Sequence, residues 1–516
     1  MIMAPTADAF AKRRRLTAQS IIYGRSDILR RVVESAPKLN GSHSFNPARR
    51  EEPEEKQPES TPGMERDMSK GSPIKLILFF TLPLLAGNIF QQFYSMVDTF
   101  VVGRFVGVDA LAALGTTSAM AFLVLGFVGG LTAGFSVIIS QRFGAGDPDG
   151  MRSATAMSII TAFGLTIILT VVSMATSMPL LRLLRTPANI IEDANTYISI
   201  LFAGILTTVY YNLFASMLRA LGDSRSPLYF LLIASILNIV LDLVFVINLG
   251  LGCAGVGYAT VISQGVSALF CLLYIHRKYP QLHLTGKDWK LDKVMIARLL
   301  RIGIPSALQF SVCAIGVMIV QACINGLGSD AVAAYSVGCK VENLITQPLV
   351  TLGMAMATYA GQNLGAGRLD RIRKGAWHGT LLCIGFAVIG LLVILLCGEW
   401  LVGLFVEQGK PQVIADANLY LRLVSIFFIP LGLIFIFRNT CQGAGSGLIP
   451  LLSSLQELLF RALVAVTLVA PLGYLGICLA SPIAWVAAAA LLLVAYALQM
   501  KHLEKRGFQR GTPENV

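Results

Sequence analysis

Charge is what this chain has least of: 14% of its 516 residues are Asp, Glu, Lys or Arg, against about 25% in soluble domains. A surface so poor in charge cannot cover a body of this size in water. No Gly-x4-Gly-Lys-Ser/Thr occurs, which argues against ATP hydrolysis through a phosphate loop. The nine cysteines stand singly, without a Cys-x-x-Cys, so neither zinc nor a disulfide framework is supported. Inside apolar runs they read as small packing residues. The five histidines have no metal-ligand spacing, and no Ser/His/Asp set is legible. The chain is read as a non-enzyme without a cofactor. Gly250-Leu-Gly252-Cys-Ala-Gly255 fits the dinucleotide pattern in letters only, because it joins two apolar runs rather than a strand and a helix.

What the chain has in abundance is apolar sequence, 55% of its residues, with a mean hydropathy of +0.68. A helix crossing about 30 Å of hydrocarbon needs about 20 apolar residues. Twelve candidate spans meet that need: 76–102, 110–139, 154–180, 195–218, 228–249, 254–275, 298–326, 331–359, 376–398, 416–437, 448–470 and 474–499. The expected fold is an all-α membrane protein with twelve transmembrane helices. An even number puts both termini on one side.

Loop charge says which side. The alternate connections starting after span 2 carry Arg142 and Arg152, then Arg219 and Arg225, then Arg277, Lys278, Lys287, Lys290 and Lys293. Arg368, Arg371, Arg373, Lys374 and Arg438 continue the series, whereas the opposite set offers Arg104, Arg182, Arg185 and Lys410. The positive-inside rule makes the first set and both termini cytoplasmic, which places the protein in the cytoplasmic (inner) membrane. The net charge of +12 sits largely in these loops and in the first 75 residues, so nucleic acid is not an expected partner. Residues 1–74 read as a disordered tail, basic at Lys12–Arg15 and rich in Pro and Glu around 51–60. Met64 or Met68 is an alternative start, and a transit peptide is the weaker reading. The sequon Asn40-Gly-Ser42 falls in this tail and is expected to be inert. Residues 501–516 form a second cytoplasmic tail.

The spans repeat. Gly107-Val-Asp109-Ala-Leu-Ala-Ala-Leu114 matches Gly328-Ser-Asp330-Ala-Val-Ala-Ala-Tyr335, and Gln141-Arg-Phe-Gly144-Ala-Gly146 matches Gln362-Asn-Leu-Gly365-Ala-Gly367, both at an offset of 221. Tyr197, Leu221-Gly222 and Pro227-Leu228 match Tyr420, Ala444-Gly445 and Pro450-Leu451 at an offset of 223. Six spans per repeat keep the membrane orientation, so these are parallel lobes, 75–275 and 298–500, related by a pseudo-two-fold along the membrane normal. A polar linker, 276–297, joins them. In span 2, Gly126, Gly130 and Gly134 make a small-residue face for close helix packing.

Ionisable residues inside membrane helices are costly and face cavities or partners. Span 1 carries Asp98, with Gln91, Tyr94 and Ser95 on the same face. Span 5 carries Asn238 and Asp242, four residues apart, and span 6 carries Thr260. If the spans meet, Asp98, Asn238, Asp242 and Thr260 form an oxygen-rich pocket for Na⁺ or a proton; the alternative is hydrogen-bond glue between helices. In the second lobe, Lys340, Asn343 and Gln347 share a face of span 8 while Glu342 points elsewhere. Span 7 offers Gln309, Gln321 and Asn325. Gln91, Tyr94, Gln309, Lys340, Asn343 and Gln347 are the candidate substrate-cavity residues. Glu457 and Arg461, four apart on span 11, read as a structural ion pair, and Arg422 and Arg438 are expected to snorkel from the ends of span 10.

Two parallel six-helix lobes, each with Gln-x-x-Gly-Ala-Gly after its second span, resemble the multidrug and toxic compound extrusion (MATE) transporters over about residues 64–505. Leu82-Pro83 … Gln91-Gln92 … Met96-Val97-Asp98 and Arg219-Ala-Leu-Gly222-Asp-Ser … Pro227 strengthen the resemblance. It implies H⁺- or Na⁺-coupled export of cationic amphipathic compounds by alternating access. The family's cation site then maps onto Asp98, Asn238, Asp242 and Thr260. Span 7 lacks the acid of the NorM-type branch, which favours coupling through the first lobe, as in the DinF-like branch. A single chain is expected to act as a monomer. A lipid-linked precursor flippase of the same superfamily is the alternative, expected to have a more cationic cavity and further helices.

Overall fold

The computed structural model describes residues 67–184, 186–406 and 410–507. Most of the expected N-terminal tail, its sequon and residues 508–516 lie outside the described residues. Within these, the chain folds into fourteen α-helices. The first seven are α1 Pro73–Val101, α2 Val108–Gly144, α3 Pro148–Leu183, α4 Ile191–Ala203, α5 Ile205–Ala220, α6 Arg225–Leu243 and α7 Gly252–Lys278. The second seven are α8 Lys293–Asn325, α9 Ser329–Gly365, α10 Leu369–Gly403, α11 Pro411–Ser425, α12 Phe428–Gly443, α13 Leu448–Leu472 and α14 Tyr474–Lys505.

Nine of these helices are each long and apolar enough to cross a membrane. The pairs α4–α5 and α11–α12 qualify as broken spans, bent by 48° and 54°. The remaining helix, α9, has 37 residues but carries Lys340 and Glu342 in its middle, which lowers its apolarity. Twelve crossings result.

Spans 4 and 10, each expected as one crossing, are the two that break. Gly204 at the first break lets α7 come close: a Cβ there would stand 2.3 Å from a methyl carbon of Val261. The second break, at Ile426 and Phe427, lies just before Pro430. Proline lacks a backbone donor, and its ring clashes with the carbonyl four residues earlier. Gly204 and Phe427 are themselves 223 residues apart, so the repeat keeps the bend while changing its chemistry. Gly107 and Gly328, which open α2 and α9 at the offset of 221, have φ of 127° and 100°, a region that glycine alone enters at little cost.

The two halves exchange helices at one end. Ile77, Phe80 and Leu84 of α1 are buried in the core of the second half with Tyr359 and Met356. Reciprocally, Met295, Leu299 and Ile302 of α8 are buried in the core of the first half with Phe135 and Met157. Between them α2 and α8 come together backbone to backbone at their glycines. A Cβ on Gly130 would lie 2.4 Å from the carbonyl oxygen of Ser306, and one on Gly134 would lie 2.6 Å from Cα of Gly303.

The hydrogen bonds that join the halves cluster at the end bearing the Arg- and Lys-rich loops, here called the basic end. Gln141 Nε2 donates to the carbonyl of Gly443 at 2.9 Å, and Gln362 Nε2 to that of Ala220 at 2.8 Å. Donors and acceptors exchange under the repeat offsets, so this is one contact made twice. A Cβ on Gly144 would fall 1.9 Å from the carbonyl oxygen of Gln362, and one on Gly365 would fall 1.8 Å from that of Gln141. The doubled Gln-x-x-Gly-Ala-Gly motif is thus the seam between the halves. Asn88 Nδ2, which donates to Gln347 Oε1 at 3.3 Å, extends the seam about halfway along the spans.

The stretch 67–72, expected to belong to the tail, is instead strapped across this seam. Met68 is fully buried; its N–H donates to Gln362 Oε1 at 2.8 Å, and its carbonyl accepts from Arg371 at 3.0 Å and from Asn363 at 3.2 Å. Arg371 also reaches the carbonyl of Gly71 at 3.0 Å.

Candidate functional site

Three helices of the first half converge far from the basic end. Asp98 sits in the last turn of α1, four residues before a π-helical turn, Val102–Val106. Asp242 lies two residues before a second such turn, Val244–Asn248, which ends α6. Such π turns widen a helix locally and recur at functional sites. Here each follows an acidic residue, and the two turns pack on one another through Val102 and Val246 beside Cys253 and Val256 of α7.

This geometry brings the expected residues together. Asp98 faces Asp242 and Tyr94, and Tyr94 in turn faces Thr260 of α7. Tyr197 of α4 closes the group beside both carboxylates. Asn238 and Asp242 are 2% and 0% exposed. Buried polar atoms normally have partners, yet both oxygens of Asp242, both amide atoms of Asn238 and Oδ1 of Asp98 have none among the described residues. The Thr260 hydroxyl gives its proton to the carbonyl of Val256 at 2.9 Å and keeps its lone pairs for the pocket. Two carboxylates pressed together away from water repel strongly unless a positive species lies between them. The donor set is hard oxygen throughout, which suits a proton or Na⁺.

Asp98 and Thr260 stand at one end of a cavity of about 410 Å³ enclosed chiefly by α1, α5, α6 and α7, which Asn238 and Asp242 do not line; the size is ordinary for a drug-like ligand. Of the candidate substrate-cavity residues, Gln91 and Tyr94 line it, and so do Asn88, Gln264 and Arg219. Gln309, Lys340, Asn343 and Gln347 do not line it. Lys340 and Asn343 are exposed on α9, and Gln347 belongs to the seam. Sequence reasoning missed Tyr197, Gln264 and Arg219 as cavity residues. The signals were faint: Tyr197 is repeated as Tyr420, and Gln264 stands one helical turn after Thr260.

The second half holds a different charged cluster. Glu457 accepts from Arg461 at 2.5 Å and from Arg438 at 2.9 Å, and Arg438 also donates to Ser453 at 3.2 Å. Arg438 therefore does not snorkel: it is 5% exposed and serves as the third member of a buried ion cluster. Glu342 accepts the hydroxyl of Tyr420, which explains why it turns away from its exposed neighbours.

A family model, MatE, matches residues 83–244 and 305–467, one match in each half. The chain belongs to the MATE family. Two probable multidrug resistance proteins of Bacillus subtilis (strain 168), YpnP and YoeA, are each 31% identical to it. The YpnP match covers 74% of this chain and 84% of the relative, and the YoeA match 78% and 87%. A solved outward-facing multidrug resistance MATE transporter of the MOP superfamily shares the fold, with a TM-score of 0.81 at 23% identity over 86% of this chain and 99% of that one. As a MATE protein it is a multi-pass membrane transporter of the multidrug efflux class.

Proposed function

We propose that the protein is a secondary antiporter that exports cationic amphipathic compounds in exchange for H⁺ or Na⁺, bound by Asp98, Asn238, Asp242 and Thr260. The observation that carries this reading is the set of buried oxygens on Asp98, Asn238 and Asp242, at and behind the cavity end, that have no hydrogen-bond partner among the described residues. A single positive ion satisfies them together. The basic end faces the cytoplasm, following the loop charge, the protein lies in the inner membrane, and one chain works alone. In the arrangement described, the seam closes the cytoplasmic side. Ion binding draws α1 and α6 together at their π turns, and the two-state equilibrium shifts only by the difference in ion affinity between the states. A cationic substrate at Gln91 and Tyr94 and an ion at Asp98 compete for the same negative charge, which is what exchange requires.

The test is dye efflux from proteoliposomes under an imposed Na⁺ gradient and then an imposed H⁺ gradient, for the wild type and for Asp242→Asn. Efflux that follows one gradient and disappears in the variant supports the reading and names the ion. Failure of every cationic dye to respond to either gradient overturns it and points to the lipid-linked flippase.

A further inference from the structure

The cavity that ends at the Asp98 carboxylate begins at a guanidinium. Arg219, in the last turn of α5, lines the cavity together with Ser224, Pro227 and Leu228 at the basic end, while Asp98 and Thr260 line the opposite end. Pro83 and Asp98 both line it from α1; fifteen residues of helix separate them by about 22 Å. The two charged ends are therefore separate subsites. Thr208, Asn212 and Arg219 all turn into the cavity, a polar stripe along one face of α5 that leads to the arginine.

Arg219 has no carboxylate partner among the described residues. Its guanidinium donates to Ser216 Oγ at 2.6 Å, on its own helix. Asp223, the acid next to it in sequence, is committed elsewhere. Asp223 Oδ1 accepts the backbone N–H groups of Arg225 and Ser226, both at 3.0 Å, and Oδ2 accepts the hydroxyls of Ser226 at 2.6 Å and Tyr279 at 3.1 Å. A cation at a helix C-terminus gains something from the helix dipole. That does not use the planar fork of N–H donors, which suits a carboxylate.

We propose that Arg219 forms an anion subsite of the cavity and selects amphipathic compounds that carry a carboxylate. The inference rests on the reading of this cavity as the transport site, but not on which ion drives transport. It makes the cavity bipolar: the acidic end serves the coupling ion and cationic groups, and the basic end holds an anionic group of the cargo.

The experiment measures equilibrium binding to the purified full chain in detergent, by fluorescence polarisation of a rhodamine methyl ester and of the matching free acid. The two dyes share one ring system and differ in the carboxylate alone. In Arg219→Gln the Kd of the acid is expected to rise about ten- to a hundredfold, as befits a lost charge-assisted pair, while the Kd of the ester stays within about twofold. Arg219→Lys should recover part of the loss. Equal weakening of both dyes, or no weakening of the acid, overturns the proposal; the ester also reports whether the variant is folded. Because binding is read without a gradient, a failure of ion-driven efflux would leave this result standing on its own.

Discussion

Gly365→Ala should push the protein out of the state closed at the basic end. The new Cβ would stand 1.8 Å from the carbonyl oxygen of Gln141 and 2.7 Å from its carbon. Both are backbone atoms with no rotamer to escape into. Ordinary contact needs the two motifs to separate by roughly 1.5 Å. That separation stretches Gln141–Gly443 and Gln362–Ala220 beyond hydrogen-bond distance. A buried group left without its partner costs about 1–3 kcal/mol, so losing both contacts disfavours the closed state by about 2–6 kcal/mol. At 1.4 kcal/mol per factor of ten, the equilibrium shifts by about thirtyfold at the least and by about ten-thousandfold at the most. Spin labels at Asp149 and Asp370, exposed residues that match at the repeat offset, would read the shift as a longer distance in pulsed EPR on a cysteine-free background. Gly144→Ala should act alike, because its Cβ meets Gln362 at 1.9 Å. Gly385→Ala, which meets nothing within 4 Å, should not. An unchanged distance distribution in a folded Gly365→Ala protein would refute the idea that the seam holds the two halves together.

Two further outcomes are expected. Glu457→Gln leaves Arg438 and Arg461 buried without a counter-charge, a loss of about 3–5 kcal/mol; the solubilised protein should unfold several degrees lower in a thermal scan, and an unchanged Tm would mean water already solvates the cluster. Asn238→Arg tethers a guanidinium beside Asp98 and Asp242; efflux should cease to respond to either gradient while the thermal stability stays near that of the wild type, and preserved gradient dependence would remove these residues from the coupling site.

The spans were legible because the bilayer leaves a chain few ways to satisfy its backbone. Every apolar run long enough to cross became a helix or a broken pair. Asp98, Asn238, Asp242 and Thr260 were legible for a related reason, since few such residues occur inside apolar runs and their spacing selects one face. What escaped reading has no one-dimensional trace. The break at Gly204 depends on Val261 pressing from another helix. The π turns depend on a sixth residue accommodated in a turn that apolar sequence does not announce. Arg438 lies near a span end and reads as a snorkelling residue; its burial follows only from Glu457 and Ser453 standing opposite. The Gln-x-x-Gly-Ala-Gly motif could be seen to repeat, but its role required knowing that each copy meets the other half.

The repeat also shows how the two halves differ at the position of the proposed ion site. The offset of 221 carries Asp98 onto Ile319 and Ala121 onto Glu342, and the offset of 223 carries Tyr197 onto Tyr420 and Asn238 onto Arg461. Tyrosine is kept, while the charges are exchanged. Ala121 lines the cavity of the first half; its counterpart Glu342 instead accepts the hydroxyl of Tyr420. Where the first half leaves the amide of Asn238 without a partner among the described residues, the second half holds a guanidinium already bonded to Glu457. Its cation is covalently attached and cannot be exchanged. A site whose positive charge is built in cannot report a gradient, whereas one that lacks it must take a proton or a metal ion from solution. The same fold, duplicated, thus supplies a fixed ion cluster on one side of the pseudo-two-fold and, on the proposed function, an exchangeable one on the other. The coupling site proposed above falls in the half whose paired carboxylates have no arginine bonded to them among the described residues.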